Sequence, residues 1–286
     1  MAAKCSQQSI KYSPWVASVV VACVLQAGFV LFCWLYMSKV NLVIVGDGET
    51  AELAYEYFTY DSNFKVVAFS VEKAYLTKDC LFGLPVLPFE NIECLYDPGK
   101  YEMFIAVSFI GLNRVRFRLY NIAKSKGYKL ASYVSSKAFV WRNVTIGDNC
   151  FILENNILQY NVKIGNNVIL WSGNHVGHRS IISDNCFIAS QVTISGYCEV
   201  GENSFVGVNA CIAPTVKIAK DCVIGAGAVV LQSTFAGLVY VGNPAHPLPN
   251  KTSFQSFNVN EKLPISVVEE KKLVSSVTGL SAIPNA

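Results

Sequence analysis

Every sixth residue from Val140 to Val230 is valine, isoleucine or leucine, sixteen positions in succession. Neither common period produces this, since a helix returns its apolar face every three to four residues and a half-buried strand every second. A strict repeat of six marks a coil whose turns stack on one another, each burying the apolar positions of the next. Three hexapeptides close one triangular turn. The run therefore predicts a left-handed parallel β-helix of a little over five coils, placed over residues 136–248. Neighbouring coils should lie about 4.8 Å apart, the strand spacing of any sheet.

Other positions keep the same register. The fourth residue after each aliphatic is mostly small, and Cys150, Cys186, Cys198 and Cys222 occupy that slot as compact hydrophobes near a tight corner. The ten cysteines include no CxxC pair and read as reduced thiols. Glycine follows the aliphatic at Gly147, Gly165, Gly177, Gly201, Gly207 and Gly225, where a corner is expected to need backbone freedom. Flat faces bearing Trp171, Phe187 and Phe205 would leave a large apolar patch on a monomer, which predicts a cyclic trimer.

Ahead of the coil, residues 40–135 alternate strand and helix. The apolar run Val40 to Val45 ends at Gly46-Asp47-Gly48 and passes into the helix-permissive stretch Glu49 to Tyr60. Further strands are expected at Lys65 to Phe69 and Glu102 to Val107, then an amphipathic basic helix near Arg114 to Lys126. This is the pattern of an α/β, Rossmann-like layer with a parallel sheet. The glycine signal is only Gly-x-Gly, without the third glycine of a dinucleotide fingerprint. Its place at a helix N-terminus beside a parallel sheet suits an anion.

Residues 1–39 form an apolar leader. From Trp15 to Met37 it runs 23 residues without a charge, long enough to cross a membrane as one helix. The alternative is an upstream extension, with Met37 as a start immediately before the first strand, and the working domain cytoplasmic either way. Residues 249–286 lose the repeat and are expected to close the coil briefly and then to be disordered. With 23 basic against 20 acidic residues, a net charge of +3 and no run of five or more basic residues, the chain carries no nucleic-acid footprint.

Two of the three histidines, His175 and His178, fall in the single turn Gly173-Asn174-His175-Val176-Gly177-His178-Arg179. His178 stands second after the aliphatic Val176, which points its side chain outward. Two surface histidines on a polar face would look the same, but clustering in a histidine-poor chain favours function. The opening VIVGDGETAE, the hexapeptide run, the His178 turn and the closing Gly242-Asn243-Pro244-Ala245 together resemble the NeuD-like sugar O-/N-acyltransferases, over about Lys39 to Leu248.

That resemblance implies acetyl-CoA as acyl donor, no metal, and a UDP- or dTDP-linked sugar held by the first domain near Gly46, Asp47, Gly48 and Glu72. It implies a homotrimer with active sites between adjacent β-helices. His178 takes the general-base position, with His175, Asn174 or a group from the neighbouring chain as its orienting partner and Gly196 or a neighbour as the oxyanion donor. The coenzyme arm would run along Gly207, Gly225, Ala226 and Gly227, with Lys217 or Lys220 near its phosphates. Arg179 departs from the pattern, because relatives of the bacillosamine-acetylating type carry an acidic residue there. The acceptor is read as the amine of a nucleotide-linked amino sugar, with a sialic acid or other sugar hydroxyl as the alternative. A zinc-dependent carbonic anhydrase on the same coil is disfavoured by histidine spacing, and a non-catalytic scaffold by the retained His178 and the nucleotide-type first domain.

Overall fold

The computed structural model describes residues 39–258, and from Val40 onward these belong to one compact unit. The apolar run at 15–37, with its membrane-anchor reading, lies outside the described residues. Among the described residues no helix is long and apolar enough to cross a membrane.

The first layer contains β1 (Val40–Val45), α1 (Glu49–Tyr60), β2 (Phe64–Val71), β3 (Cys80–Leu81), β4 (Leu84–Pro88), β5 (Tyr101–Ile105) and α2 (Arg114–Ser125). The sheet order is β3-β4-β2-β1-β5, parallel throughout except for the short antiparallel β3. Central β1 buries Leu42, Val43 and Ile44 completely, and α1 covers one side of the sheet with Ala51, Ala54 and Phe58 at helical spacing. Chain order reverses between β1 and β5, so the carboxyl ends of these strands flank a crevice of the kind in which α/β sheets hold ligands. Strand β4 was not expected from sequence, because Pro85 and Pro88 interrupt its donor row. It tolerates them beside the short edge strand.

The repeat forms the predicted parallel β-helix, with rungs pairing in register eighteen residues apart, as in His175 with Thr193. It has three faces. A covered face stacks Tyr133–Val134, Phe151–Ile152, Ile169–Leu170, Phe187–Ile188, Phe205–Val206 and Val223–Ile224. An open face stacks Phe139–Val140 through Val229–Val230, and a polar face Thr145–Ile146 through Lys217–Ile218. The repeating aliphatics fill the interior, where the residues from Ile152 to Val230 are at most 4% exposed. The small residues of the fourth slot join them. Cys150, Ser180, Cys186, Cys198 and Ser204 each turn a thiol or hydroxyl to a carbonyl fifteen residues on. Burial pushes the Cys150 and Cys186 thiols up to about 12.

Corner geometry differs from the sequence expectation. The left-handed backbone falls not on the glycines after the aliphatics but on every sixth residue from Asn149 to Gly227, half of them asparagine. Asparagine is among the few side chains that take this conformation readily. The glycines serve close approach instead. A Cβ on Gly147, Gly165, Gly177, Gly201 or Gly207 would come within 2.5–2.7 Å of backbone atoms of the next coil.

A second correction concerns the apolar patch. Phe187 and Phe205 are 4% and 6% exposed, packed against Phe109 of the first layer and Phe257 of the closing segment, and Trp171 leans on Phe187. The covered face is therefore satisfied within the chain. That closing segment adds Leu238–Val241 to the covered face, folds back as His246–Thr252, and ends in one helical turn with a Thr252–Gln255 capping box. Phe257, well inside the stretch expected to be loose, is fully buried.

Arg116 of α2 fastens the two layers. It is fully buried, and its guanidinium donates to the carbonyls of Val107, Ser108, Asn167, Asn185 and Cys186 and to Asn167 Oδ1, at 2.7–3.3 Å. Burial pulls its pKa down to about 9. Beneath it Asn149, Asn167 and Asn185 form a ladder, each side-chain amide donating to the next at 2.8 and 2.9 Å, with Asn149 Oδ1 accepting from Ile105 N.

Candidate functional site

The corner between the open and polar faces is built differently. Here successive coils present Tyr160, His178 with Arg179, and Gly196 with Tyr197. His178 is exposed, and its backbone N–H is fixed by Gln159 Oε1 at 3.0 Å. Its imidazole lies directly against Gly196, since a Cβ there would stand 2.6 Å from Cε1 and 2.9 Å from Nε2. Tyr197 meets the ring edge-on at 5.2 Å between centroids. The Gly196 carbonyl accepts from Thr215 N, whereas the Gly196 N–H has no acceptor among the described residues. An imidazole able to carry a proton thus sits beside an unpaired backbone donor, the two elements that acyl transfer needs.

The other expected residues are placed as follows. His175 lies on the open face between the Ile157 and Thr193 rungs, half-buried, and no hydrogen bond joins it to His178. Asn174 cannot orient the base. It is fully buried inside the coil, with its amide spent on Trp171 O and Val192 N. His246 is on the closing strand, and among the described residues no three His, Cys, Asp or Glu side chains gather as a metal site.

Gly46, Asp47 and Gly48 turn the chain from β1 into α1 at the crevice. Gly46 has φ +129° and no room for a side chain, because a Cβ would meet Ala106 O at 2.7 Å. Lys78 caps the same turn by donating to Asp47 O at 2.9 Å, and places a cation there. Glu72, just past β2, is held by a two-point fork from Arg118 at 2.7 and 2.8 Å. Lys217 and Lys220 line one groove of about 640 Å³ on the polar face with Ser183, Glu199, Ser233 and Thr234, and Lys217 is ion-paired to Glu199 at 2.9 Å. Gly207, Gly225, Ala226 and Gly227 stand together on a different corner, between the covered and open faces. One chain does not bring that set to the two lysines.

The bacterial transferase hexapeptide model, of six repeats, matches residues 143–178, 161–196 and 197–232. No curated protein matches the chain in sequence. Among solved structures, perosamine N-acetyltransferase from Caulobacter crescentus, in complex with CoA and GDP-perosamine, is 25% identical. It superposes with a TM-score of 0.67 over 73% of this chain and 97% of its own. The acetyltransferase domain of PglB from Neisseria gonorrhoeae gives the same identity and TM-score over 73% of this chain and 100% of that one. The chain thus carries the bacterial transferase hexapeptide repeat and is similar in fold to sugar N-acetyltransferases, in keeping with the NeuD-like resemblance. WeeI from Acinetobacter baumannii, 24% identical with a TM-score of 0.62 over 73% of this chain and 99% of its own, shares the fold.

The sequence pointed to His178 and to Gly196 but not to what surrounds them. Gln159, Tyr160 and Tyr197 were within reach of arithmetic, because stepping eighteen residues either way from His178 and Arg179 lands on or beside them.

Proposed function

We propose that this chain transfers the acetyl group of acetyl-CoA to the amine of a nucleotide-linked amino sugar, with His178 as general base. The observation that carries the reading is the exposed imidazole lying against Gly196 with an unpaired N–H beside it. His178 takes the proton as the sugar nitrogen forms its bond to the thioester carbonyl, and returns it to the departing sulfur as the carbon–sulfur bond breaks. The Gly196 N–H meets the negative charge that develops on the carbonyl oxygen. The crevice at Gly46, Asp47 and Gly48 holds the nucleotide, where Gly46 lets the turn pack tightly against Ala106 and Lys78 adds positive charge. Relatives of the same fold bound to CoA and GDP-perosamine support both ligands.

The reading includes a cyclic trimer, now on a different basis. Phe139, Trp141, Ile157, Tyr160 and Tyr197 are 40–54% exposed on the open face and its edge, next to the base, so that a neighbouring copy would supply the second wall of the site. Sedimentation should give three times the chain mass, and a monomer at micromolar concentration would contradict it. The activity is tested by thiol release from acetyl-CoA against UDP-, dTDP- and GDP-linked amino sugars, with product mass identifying the acceptor. Absence of release with all of them would refute the reading.

A further inference from the structure

Arg179 follows the base directly and is set by the same corner. Its backbone is left-handed, φ 59°, and its N–H donates to Tyr160 O at 2.9 Å. The guanidinium carbon lies over two rings, 5.5 Å from the centroid of Tyr160 and 5.9 Å from that of Tyr197. Tyr197 is also the ring that meets His178, so one tyrosine braces both side chains. Arg179 is exposed, and no acceptor among the described residues takes a hydrogen bond from its guanidinium.

A guanidinium stacked on rings keeps the N–H groups of its edge available, and that edge matches the paired oxygens of a carboxylate or phosphate. Stacking also restricts the long side chain before any ligand arrives, so less freedom is lost on binding. The location narrows the ligand further. The coenzyme's own phosphates are separated from the thioester by the whole pantetheine arm, whereas Arg179 stands beside the residue that deprotonates the acceptor.

We propose that Arg179 is a specificity residue that binds an oxyanion on the acceptor, either a carboxylate of the sugar or the phosphate attached to it, close to the atom that His178 deprotonates. This rests on the acyl-transfer reading above and adds to it the charge of the substrate.

The test is steady-state kinetics of Arg179→Asn and Arg179→Lys. Asparagine already fills the equivalent left-handed position at Asn161 and Asn167, so the corner should fold. Three acceptors separate the sources: a nucleotide-linked neutral amino sugar, a free sugar acid, and the methyl ester of that acid. The asparagine variant should raise acceptor KM about 10- to 100-fold, as for loss of one charge-assisted fork, with kcat and the KM for acetyl-CoA nearly unchanged and partial recovery in the lysine variant. A rise with the nucleotide-linked neutral sugar assigns the phosphate. A rise with the sugar acid, together with poor use of its ester by the unaltered protein, assigns the carboxylate. Unchanged acceptor KM for every acceptor the unaltered protein uses would overturn the proposal while leaving acyl transfer intact. So would a variant that loses kcat and assembly together, since Arg179 would then act between copies. An unaltered protein that acetylates none of the acceptors would remove the acyl-transfer reading and this proposal with it.

Discussion

Two corners of one β-helix, made by the same hexapeptide geometry, have opposite fates. At the corner between the polar and covered faces, Asn149, Asn167 and Asn185 take the left-handed position, spend their amides on one another and lie buried under Arg116. At the corner between the open and polar faces, the same positions carry Arg179 and Tyr197, and the ladder of amides is replaced by exposed rings and charges. Backbone conformation is equal in both. What differs is whether the polar groups are satisfied within the chain, which yields stability, or left facing outward, which leaves them for a ligand.

The sharpest way to break this contrast is at the base. His178→Ala should lower kcat about 10²- to 10⁴-fold with acetyl-CoA affinity and melting temperature nearly unchanged, because the proposed base acts in the transition state and its exposed ring touches only Gly196 and the edge of Tyr197. Full activity across the histidine range of pH would move the base elsewhere. Arg116→Ala should do the reverse. Losing a buried guanidinium strands several carbonyls and opens a cavity, so denaturant unfolding should show a loss of about 3–5 kcal/mol while protein that remains folded keeps its kcat.

One substitution made at both corners compares them directly. In Gly165→Ala the new Cβ would stand 2.7 Å from the Asp184 backbone nitrogen, which cannot move alone, and the expected cost is about 1–3 kcal/mol of stability. In Gly196→Ala the atom met is the end of a flexible imidazole. That variant should keep its melting temperature and lose about 10- to 100-fold in kcat by displacing His178. Equal stability losses at the two sites would mean that the histidine corner is packed as tightly as the other.

The smallest expected effect is at the junction of α1 with the first coil. Hydrogen bonds from the Tyr133 hydroxyl and from Ser136, at 2.6 and 2.9 Å, hold the Asp61 carboxyl below its ordinary range. Its contribution to stability is therefore full above the unfolded value near pH 4 and is lost as pH falls through the lower folded value. Melting temperature should drop in that acid window, and Asp61→Asn should flatten the drop. An unchanged acid profile in the variant would assign the loss to other carboxylates.

How far the sequence could be read follows the same division. The coil was legible because its interior is filled by the repeating aliphatic and the small residue four places on, and a period of six survives any change of surface. The outward placement of His178 was legible from the register. The covered face was not, since Phe187 and Phe205 look identical to exposed aromatics until Phe109 and Phe257 are known to reach them across 78 and 52 residues of sequence. Arg116 was invisible for a related reason. In a basic helix one arginine reads as solvated, and all but one of its acceptors are backbone carbonyls, which carry no sequence signal.

The eighteen-residue pairing also makes the coil an indexing device. Every rung stacks on the residues one full turn away, so an insertion or deletion of eighteen residues adds or removes a storey and leaves each later side chain facing the same way. A change of six keeps the aliphatics inward yet rotates everything beyond it by a third of a turn. Such a change ahead of His178 would carry the imidazole to another edge of the prism without disturbing the core, so length, counted modulo eighteen, decides which wall of the molecule receives the chemistry.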